Sequence, residues 1–211
     1  MKKLHIAMVH DLVCSWCPIA YNNIKAAITN LDIDVDFSFL PFELNPDMGE
    51  EGELVSSYFA RRMGWQEAQL MDYQKSLVAT AKNANVTIDF SKRKHYFNTR
   101  KAHLLMHLAE RNNKQEELNK VFINAYFSEG LDIGNTPQLC DLGEKVGLEK
   151  INIEAALSSD QLAQELDEKM ERYEAYRITS VPAFIVNNSV LISGANSVSS
   201  FEASLSKLID T

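Results

Sequence analysis

Two cysteines separated by two residues, Cys14 and Cys17, stand between a short apolar run and an amphipathic helical stretch. A thiol pair this close cannot tie distant parts of a chain together; it is a redox or metal feature and adds little to global stability. The third cysteine, Cys140, lies far along the chain, and three thiols in 211 residues make no disulfide scaffold. The fold must therefore rest on a buried apolar core, which a chain of this size can build.

The flanks of the pair carry regular patterns. Leu4 to Val9 is short, apolar and bounded by polar residues, which predicts a buried strand. Downstream, Ile24, Ala27, Ile28 and Leu31 lie at i, i+3, i+4 and i+7 and make one apolar helix face. Asp34 to Phe42 then alternates, with Val35, Phe37, Phe39 and Pro41 on one side, as a second strand would. Strand, helix and strand within about forty residues make a βαβ unit with parallel strands.

The middle of the chain changes character. Glu43 to Glu53 is acidic and turn-rich and predicts a loop. Helical periodicity follows as far as Arg177, with faces made by Leu70, Tyr73, Leu77 and Ala81, by Ala102, Leu105, Met106 and Ala109, by Leu118, Val121, Phe122 and Ala125, and by Leu162, Leu166, Met170 and Tyr173. Thr136-Pro137 reads as an N-cap followed by proline at the first helical position, with Gly147 ending that helix. Ala183 to Val186 and Val190 to Ile192 are apolar runs joined by Asn187-Asn188-Ser189, a hairpin signature, and Val198, Phe201, Leu205 and Leu208 form a closing helix. No linker, repeat or low-complexity tract separates the helical block from the rest, so it is expected to pack on it.

Charge and termini narrow the classes of function. The balance of 21 basic and 29 acidic residues gives 21 − 29 = −8, which implies no broad basic surface and argues against nucleic-acid binding. The N-terminal apolar run is broken by His5 and ends at His10-Asp11, without the longer apolar stretch and small-residue cleavage site of a signal peptide. No run approaches the roughly 20 apolar residues that span a bilayer. The expectation is a cytoplasmic protein with no membrane partner, from a prokaryote or from a compartment without an import signal.

The segment Asp11-Leu12-Val13-Cys14-Ser15-Trp16-Cys17-Pro18 carries the chemistry. Ser15 is expected to cap the helix, and Pro18 then falls in the first turn, where a missing N–H costs little. Cys14 at the helix N-terminus meets unpaired N–H groups and the positive end of the macrodipole, which favour a thiolate. A thiolate of low pKa is both a nucleophile and a good leaving group, and Cys17, one turn on, is placed to resolve what Cys14 attacks. Two bland alternatives remain. Zinc needs two further ligands, which His5 and His10 would have to supply, and the two thiols are otherwise inert core residues. Val181-Pro182 opens a strand, and taken alone it is an ordinary trans strand start.

Taken together, these features resemble the thioredoxin superfamily, in which C-x-x-C at the start of the first core helix faces a cis-proline loop. More narrowly they are similar to the DsbA family of thiol:disulfide oxidoreductases, and within it to the FrnE-like branch. The resemblance is carried by Asp11 to Cys17, by Pro41-Phe42-Glu43-Leu44-Asn45-Pro46-Asp47, by Asn98 to Ala102, by Ala125 to Gly130 with Asp132-Ile133, and by Val181-Pro182-Ala183-Phe184 with Asn187. Ser15 stands where the branch usually has proline, and Ser180 where glycine is common. The resemblance implies an α/β thioredoxin fold, βαβ … ββα, formed by residues 1–45 and 175–211, with an all-helical domain of residues 46–174 inserted between its halves. It implies Cys14 as nucleophile, Cys17 as resolving thiol and Pro182 as the cis-proline. Trp16, Ser15 and the backbone of Val181 are implied at the client-binding surface. No cofactor or metal is implied. The partners are protein or small thiol and disulfide clients, and a redox partner such as glutathione or a thioredoxin system.

Two other functions fit the same elements. Kappa-class glutathione transferases and 2-hydroxychromene-2-carboxylate isomerases resemble this fold with serine at the first cysteine position, and a non-enzymatic chaperone or adaptor would use the same cleft. Asp11 and Glu43 are read as solvated carboxylates, with proton transfer to the resolving thiol as the alternative. His103 and His107 lie at i, i+4 but lack the Glu of H-E-x-x-H, so they and His95 are not read as metal ligands. Cys140 is read as a small buried apolar residue.

Overall fold

A computed structural model describes residues 3–172 and 174–209. The chain opens with β1 (Leu4–His10), α1 (Trp16–Asn30) and β2 (Val35–Pro41). Next come β3 (Glu53–Leu54), α2 (Val55–Met63), α3 (Glu67–Asn83) and β4 (His95–Tyr96). A run of helices follows: α4 (Arg100–Arg111), α5 (Gln115–Ile123), a π-helical turn (Asn124–Ser128), α6 (Thr136–Glu144), α7 (Lys150–Leu157) and α8 (Asp160–Arg172). A 3-10 turn (Glu174–Tyr176), β5 (Ala183–Val186), β6 (Val190–Ser193) and α9 (Val198–Ile209) complete it. This is the mixed α/β thioredoxin fold with helices between its βαβ and ββα parts. Among the described residues no helix is long and apolar enough to cross a membrane.

The sheet has the order β2-β1-β5-β6. β2 runs parallel to β1 from Leu4↔Val35 to His10↔Pro41, as a strand reached through a helical crossover must. β5 runs antiparallel to β1, with Val9 opposite Ala183 and Ile6 opposite Val186. β1 is therefore central and covered on both faces, which is why it reads as an almost unbroken apolar run. Leu4, Ile6 and Met8 join the core with Ile24 and Ala27 of α1 and Phe201 and Leu205 of α9. Val9, Ala183 and Ile185 pack on the opposite side with Met170, Tyr176 and Ile178. Asn187 and Asn188 turn the β5–β6 hairpin with φ of 50° and 52°, a left-handed pair closed by the Ser189 N–H on the Val186 carbonyl at 3.1 Å.

The helical segment between β2 and β5 shares this core. Ala102, Leu105, Met106 and Ala109 of α4 and Leu118 and Phe122 of α5 belong to the same buried cluster as Ile6 and Met8. Leu70, Leu77 and Ala81 are buried as their spacing predicts, while Tyr173 lies outside the described residues. Three local expectations need correction. Glu53 is not in a loop but pairs with Tyr96, in a ribbon of two residues per strand that is too short to show a period. The cap of α6 is Asn135, whose side-chain oxygen accepts the Gln138 N–H at 3.1 Å, so Thr136 is already helical. That helix ends at Glu144, and Gly147 closes the turn after it with φ of 84° and its N–H on the Glu144 carbonyl.

Phe201 is fully buried and meets Phe184 edge-on at 5.1 Å, across the contact between sheet and closing helix. Phe201→Ala is expected to cost about 3–5 kcal/mol in urea unfolding. Ile151→Ala, at an exposed site on α7, should stay within about 0.5 kcal/mol. Equal losses at the two positions would contradict this account of the core.

Candidate active site

The five residues between β1 and α1 are held by Asp11. Its carboxylate accepts the Val13 N–H at 3.3 Å and the Leu44 N–H at 2.6 Å, and its backbone carbonyl accepts the Cys14 N–H at 3.1 Å. Asp11 is only 1% exposed, so the expectation of a solvated carboxylate is wrong. Glu43 is also internal, paired with Arg100 at 3.1 Å. Sequence spacing could not show the donors that reach these two carboxylates from distant segments.

α1 begins directly after Ser15, but the Ser15 hydroxyl caps nothing. Its φ and ψ of −65° and −23° are helical, whereas a capping side chain needs an extended backbone to reach the next N–H groups. The Trp16 and Cys17 N–H groups of this first turn favour a thiolate at Cys14, and the Cys17 N–H bonds the Cys14 carbonyl at 3.1 Å. Cys14 and Cys17 are 7% and 2% exposed, and neither is in a disulfide.

The two thiols are electrostatically unlike. The Cys17 S–H donates to the Cys14 sulfur and is the main influence holding Cys14 below the ordinary thiol value. Burial and the Asp11 charge oppose that, and the N–H groups of the first helical turn reinforce it. Cys17 is pushed well above the ordinary value, first by burial and then by its place as donor beside the Cys14 charge.

The facing wall comes from the far end of the chain. The Val181–Pro182 peptide is cis, and the Cys14 thiol donates to the Val181 carbonyl over 3.7 Å. Because Val9 is registered on Ala183, the residues just before β5 lie beside those just after β1. Trp16, 36% exposed, forms the rim beside Tyr73 of α3; burial pushes the Tyr73 phenol above the ordinary tyrosine value, and the Trp16 side chain acts against that shift. Tyr73 in turn packs on Trp65 and Phe59 at 5.3 and 5.4 Å. Thus Cys14, Cys17, Trp16, Val181 and Pro182 come together, and Ser15 lies buried among them without a hydrogen bond to the helix. Cys140 is buried in the helical core on α6.

A polar layer behind the pair had no signature in the sequence. His103 on α4 bonds the Phe42 carbonyl at 3.1 Å and lies 3.7 Å from the Asp11 carboxylate. His10 meets His103 edge-on at 5.8 Å, and burial, with His103 adding to it, lowers its pKa well below the ordinary histidine value. His107 faces Glu110 and Glu165 at 3.2 and 3.1 Å, and Lys169 at 2.9 Å. Among the described residues no three His, Cys, Asp or Glu side chains converge as metal ligands would. Arg93, 2% exposed, donates to the Val13 carbonyl at 3.1 Å.

Residues 5–206 match the sequence profile of the DSBA-like thioredoxin domain. The chain is 29% identical over 204 residues to the uncharacterized protein YwbO of Bacillus subtilis (strain 168), covering 96% of each. Among solved structures it is similar to the probable DsbA oxidoreductase SCO1869 from Streptomyces coelicolor, with a TM-score of 0.90 at 22% identity, covering 97% of this chain and 89% of the other. It is also similar to the cytosolic disulfide reductase DsbM from Pseudomonas aeruginosa, solved with GSH, with a TM-score of 0.68 at 14% identity, covering 98% of this chain and 100% of the other. At these identities the structural likenesses speak to the fold.

The thiol asymmetry has a direct readout. The iodoacetamide reaction of Cys14 is expected to rise with pH through a midpoint below the ordinary thiol value of about 8.5, because a lowered pKa leaves thiolate present at lower pH. Cys17→Ala removes the S–H donor and should move that midpoint up, whereas Cys17→Ser keeps a donor and should move it less. A midpoint unmoved by Cys17→Ala would refute the donor role.

Proposed function

We propose a function from one premise: this chain belongs to the DsbA-like thioredoxin domain family. It is a cytoplasmic dithiol–disulfide oxidoreductase that exchanges disulfides with protein or small-thiol clients through Cys14 and Cys17. Within the family we assign it to the FrnE-like branch, on the segments quoted from its sequence. The observation that carries the function is the opposed state of the two thiols at one helix terminus: Cys14 lowered and facing Val181, Cys17 raised and further inside.

In the reducing direction the Cys14 thiolate attacks one sulfur of a client disulfide. One S–S bond forms and one breaks, and the client's other sulfur leaves as a thiolate. The helix N-terminus that favoured the Cys14 thiolate has then lost its anion, and Cys17 gives its proton to the released client thiolate and attacks the Cys14 sulfur. The Cys14–Cys17 disulfide forms, and the second client thiolate leaves. Two electrons have passed from the protein to the client. A thiol donor such as glutathione or a thioredoxin system would restore the dithiol, and the same steps in reverse oxidise a client dithiol.

The other residues take supporting roles. Trp16 offers apolar surface beside the sulfur, with Ser15 at the same turn. The backbone of Val181 is placed to pair with an extended client segment, a form of strand addition, and Pro182 presents no N–H towards the sulfur. Residues 46–174, taken as the insertion between residues 1–45 and 175–211, bring Tyr73 to the rim and so shape what reaches Cys14. A cysteine in place of the serine of glutathione-dependent isomerases and transferases favours exchange chemistry over theirs.

Cys14→Ser is expected to abolish thiol-dependent insulin reduction, and wild-type turnover in that variant would defeat the proposal. Cys17→Ser should accumulate mixed disulfides on Cys14, which non-reducing mass spectrometry would detect.

A further inference from the structure

Arg93 is an internal cation without a carboxylate. It is 2% exposed, and among the described residues no Asp or Glu lies within ion-pair distance of it. Its guanidinium sits in an aromatic box, with its central carbon 4.7 Å from the ring of Tyr96, 4.8 Å from Tyr126, 5.3 Å from Phe127 and 5.4 Å from Phe90. One Nη donates to the Val13 carbonyl at 3.1 Å, while Nε has no acceptor. A guanidinium does not shed its proton at any working pH, so this charge is permanent. Ring faces offset part of its desolvation but supply no counter-charge.

The box is built, not incidental. Arg93 ends a turn in which its N–H and that of Lys92 both bond the Asp89 carbonyl, and the Asp89 N–H bonds the Phe127 carbonyl at 2.8 Å. The π-helical turn Asn124–Ser128 supplies Tyr126 and Phe127. Gly130, at φ of 71°, lets this turn approach so closely that a Cβ there would stand 2.3 Å from the Lys92 carbonyl. Side chains from two stretches, residues 90–96 and 126–127, thus hold a positive charge against one carbonyl oxygen.

That oxygen belongs to the peptide whose nitrogen is Cys14. We infer that Arg93 is a positioning residue for Cys14: its guanidinium fixes the Val13–Cys14 peptide, and its charge favours the Cys14 thiolate over the thiol. The inference rests on the proposed exchange chemistry. The anion that this cation lacks is the one that the chemistry creates when Cys14 gives its proton to solvent. The remaining ionisable groups around Cys14 are Cys17 on α1, Asp11 at the end of β1 with His103 against it, and Tyr73 on α3, whose phenol feels both Cys14 and Arg93. Asp11 has its own donors in the Val13 and Leu44 N–H groups, with the His103 ring 3.7 Å away, so Arg93 is not needed to hold it.

The test is the pH profile of Cys14 alkylation in the full-length protein, which needs no client. Arg93→Met is expected to move the midpoint up by about 0.5 pH unit, a roughly threefold loss of thiolate at neutral pH. Arg93→Lys, which keeps the charge, should restore most of it. A wild-type midpoint already at the ordinary thiol value would overturn both the exchange chemistry and the role of Arg93. A low wild-type midpoint left unchanged by Arg93→Met would overturn the role of Arg93 alone. If Arg93→Met does not fold, the wild type still decides: the Arg93 guanidinium ¹⁵N resonance should shift with the Cys14 titration and lose that step in Cys14→Ser. A guanidinium signal indifferent to Cys14 would refute the inference.

Discussion

The antiparallel pairing of β1 with β5 is the contact on which the site depends. Val9 opposite Ala183 joins residues that are far apart in sequence, and it sets the residue before the fifth strand next to the turn after the first. Without that register the Cys14 thiol would not meet the Val181 carbonyl, and Pro182 would open a strand elsewhere. A slip of one residue would turn Ala183 and Ile185 away from Met170 and Ile178 and move Phe184 off Phe201, so the two buried faces of β5 enforce the register that the site uses. The pairing must form across the whole helical segment, which makes it the expensive step in chain entropy and places the site at the seam between early and late parts of the chain.

Given that seam, the difference between the two thiols follows from one turn of helix. Cys14 lies before the first helical residue and so receives backbone N–H groups that have no intrahelical carbonyl. Cys17 lies inside the turn, its own N–H already on the Cys14 carbonyl, and is buried against the core. The same geometry that lowers one thiol therefore raises the other. The idle Ser15 hydroxyl belongs to this arrangement: a capping side chain would compete for the N–H groups that sulfur uses.

What the sequence made legible is what periodicity and local chemistry encode. The central strand, the first helix, the β5–β6 turn at Asn187-Asn188 and the main helix faces all carry a local pattern. The β3–β4 ribbon carries none, because two residues make no period and the pairing alone defines it. At the candidate site, Cys14 and Cys17 stand out by their spacing, and Val181-Pro182 only through the resemblance that pairs such a dipeptide with a C-x-x-C. Asp11 and Glu43 were misjudged because spacing says nothing of their surroundings. A carboxylate's burial depends on which distant groups reach it, and the Leu44 N–H at Asp11 and Arg100 at Glu43 are visible only in three dimensions. Arg93 and Tyr73 were passed over for the same reason, one hidden in a basic surface-like run and the other in a helix face.

Those unforeseen residues share an origin that bears on how the site is tuned. The halves carrying β1 and β5 supply the sulfur atoms and the facing backbone, while His103, Tyr73 and Arg93 come from the helical segment between them. On the proposed exchange chemistry, a buried guanidinium behind Val13, a histidine near Asp11 and the Tyr73 phenol near Trp16 would act on ionisation and access without touching the bonds exchanged. Changes in the helical segment can therefore move thiol reactivity while the strands and the cysteines stay fixed. The dipeptide between the cysteines, whose Ser15 hydroxyl accepts no helix N–H, is thus only one of the groups around the sulfur.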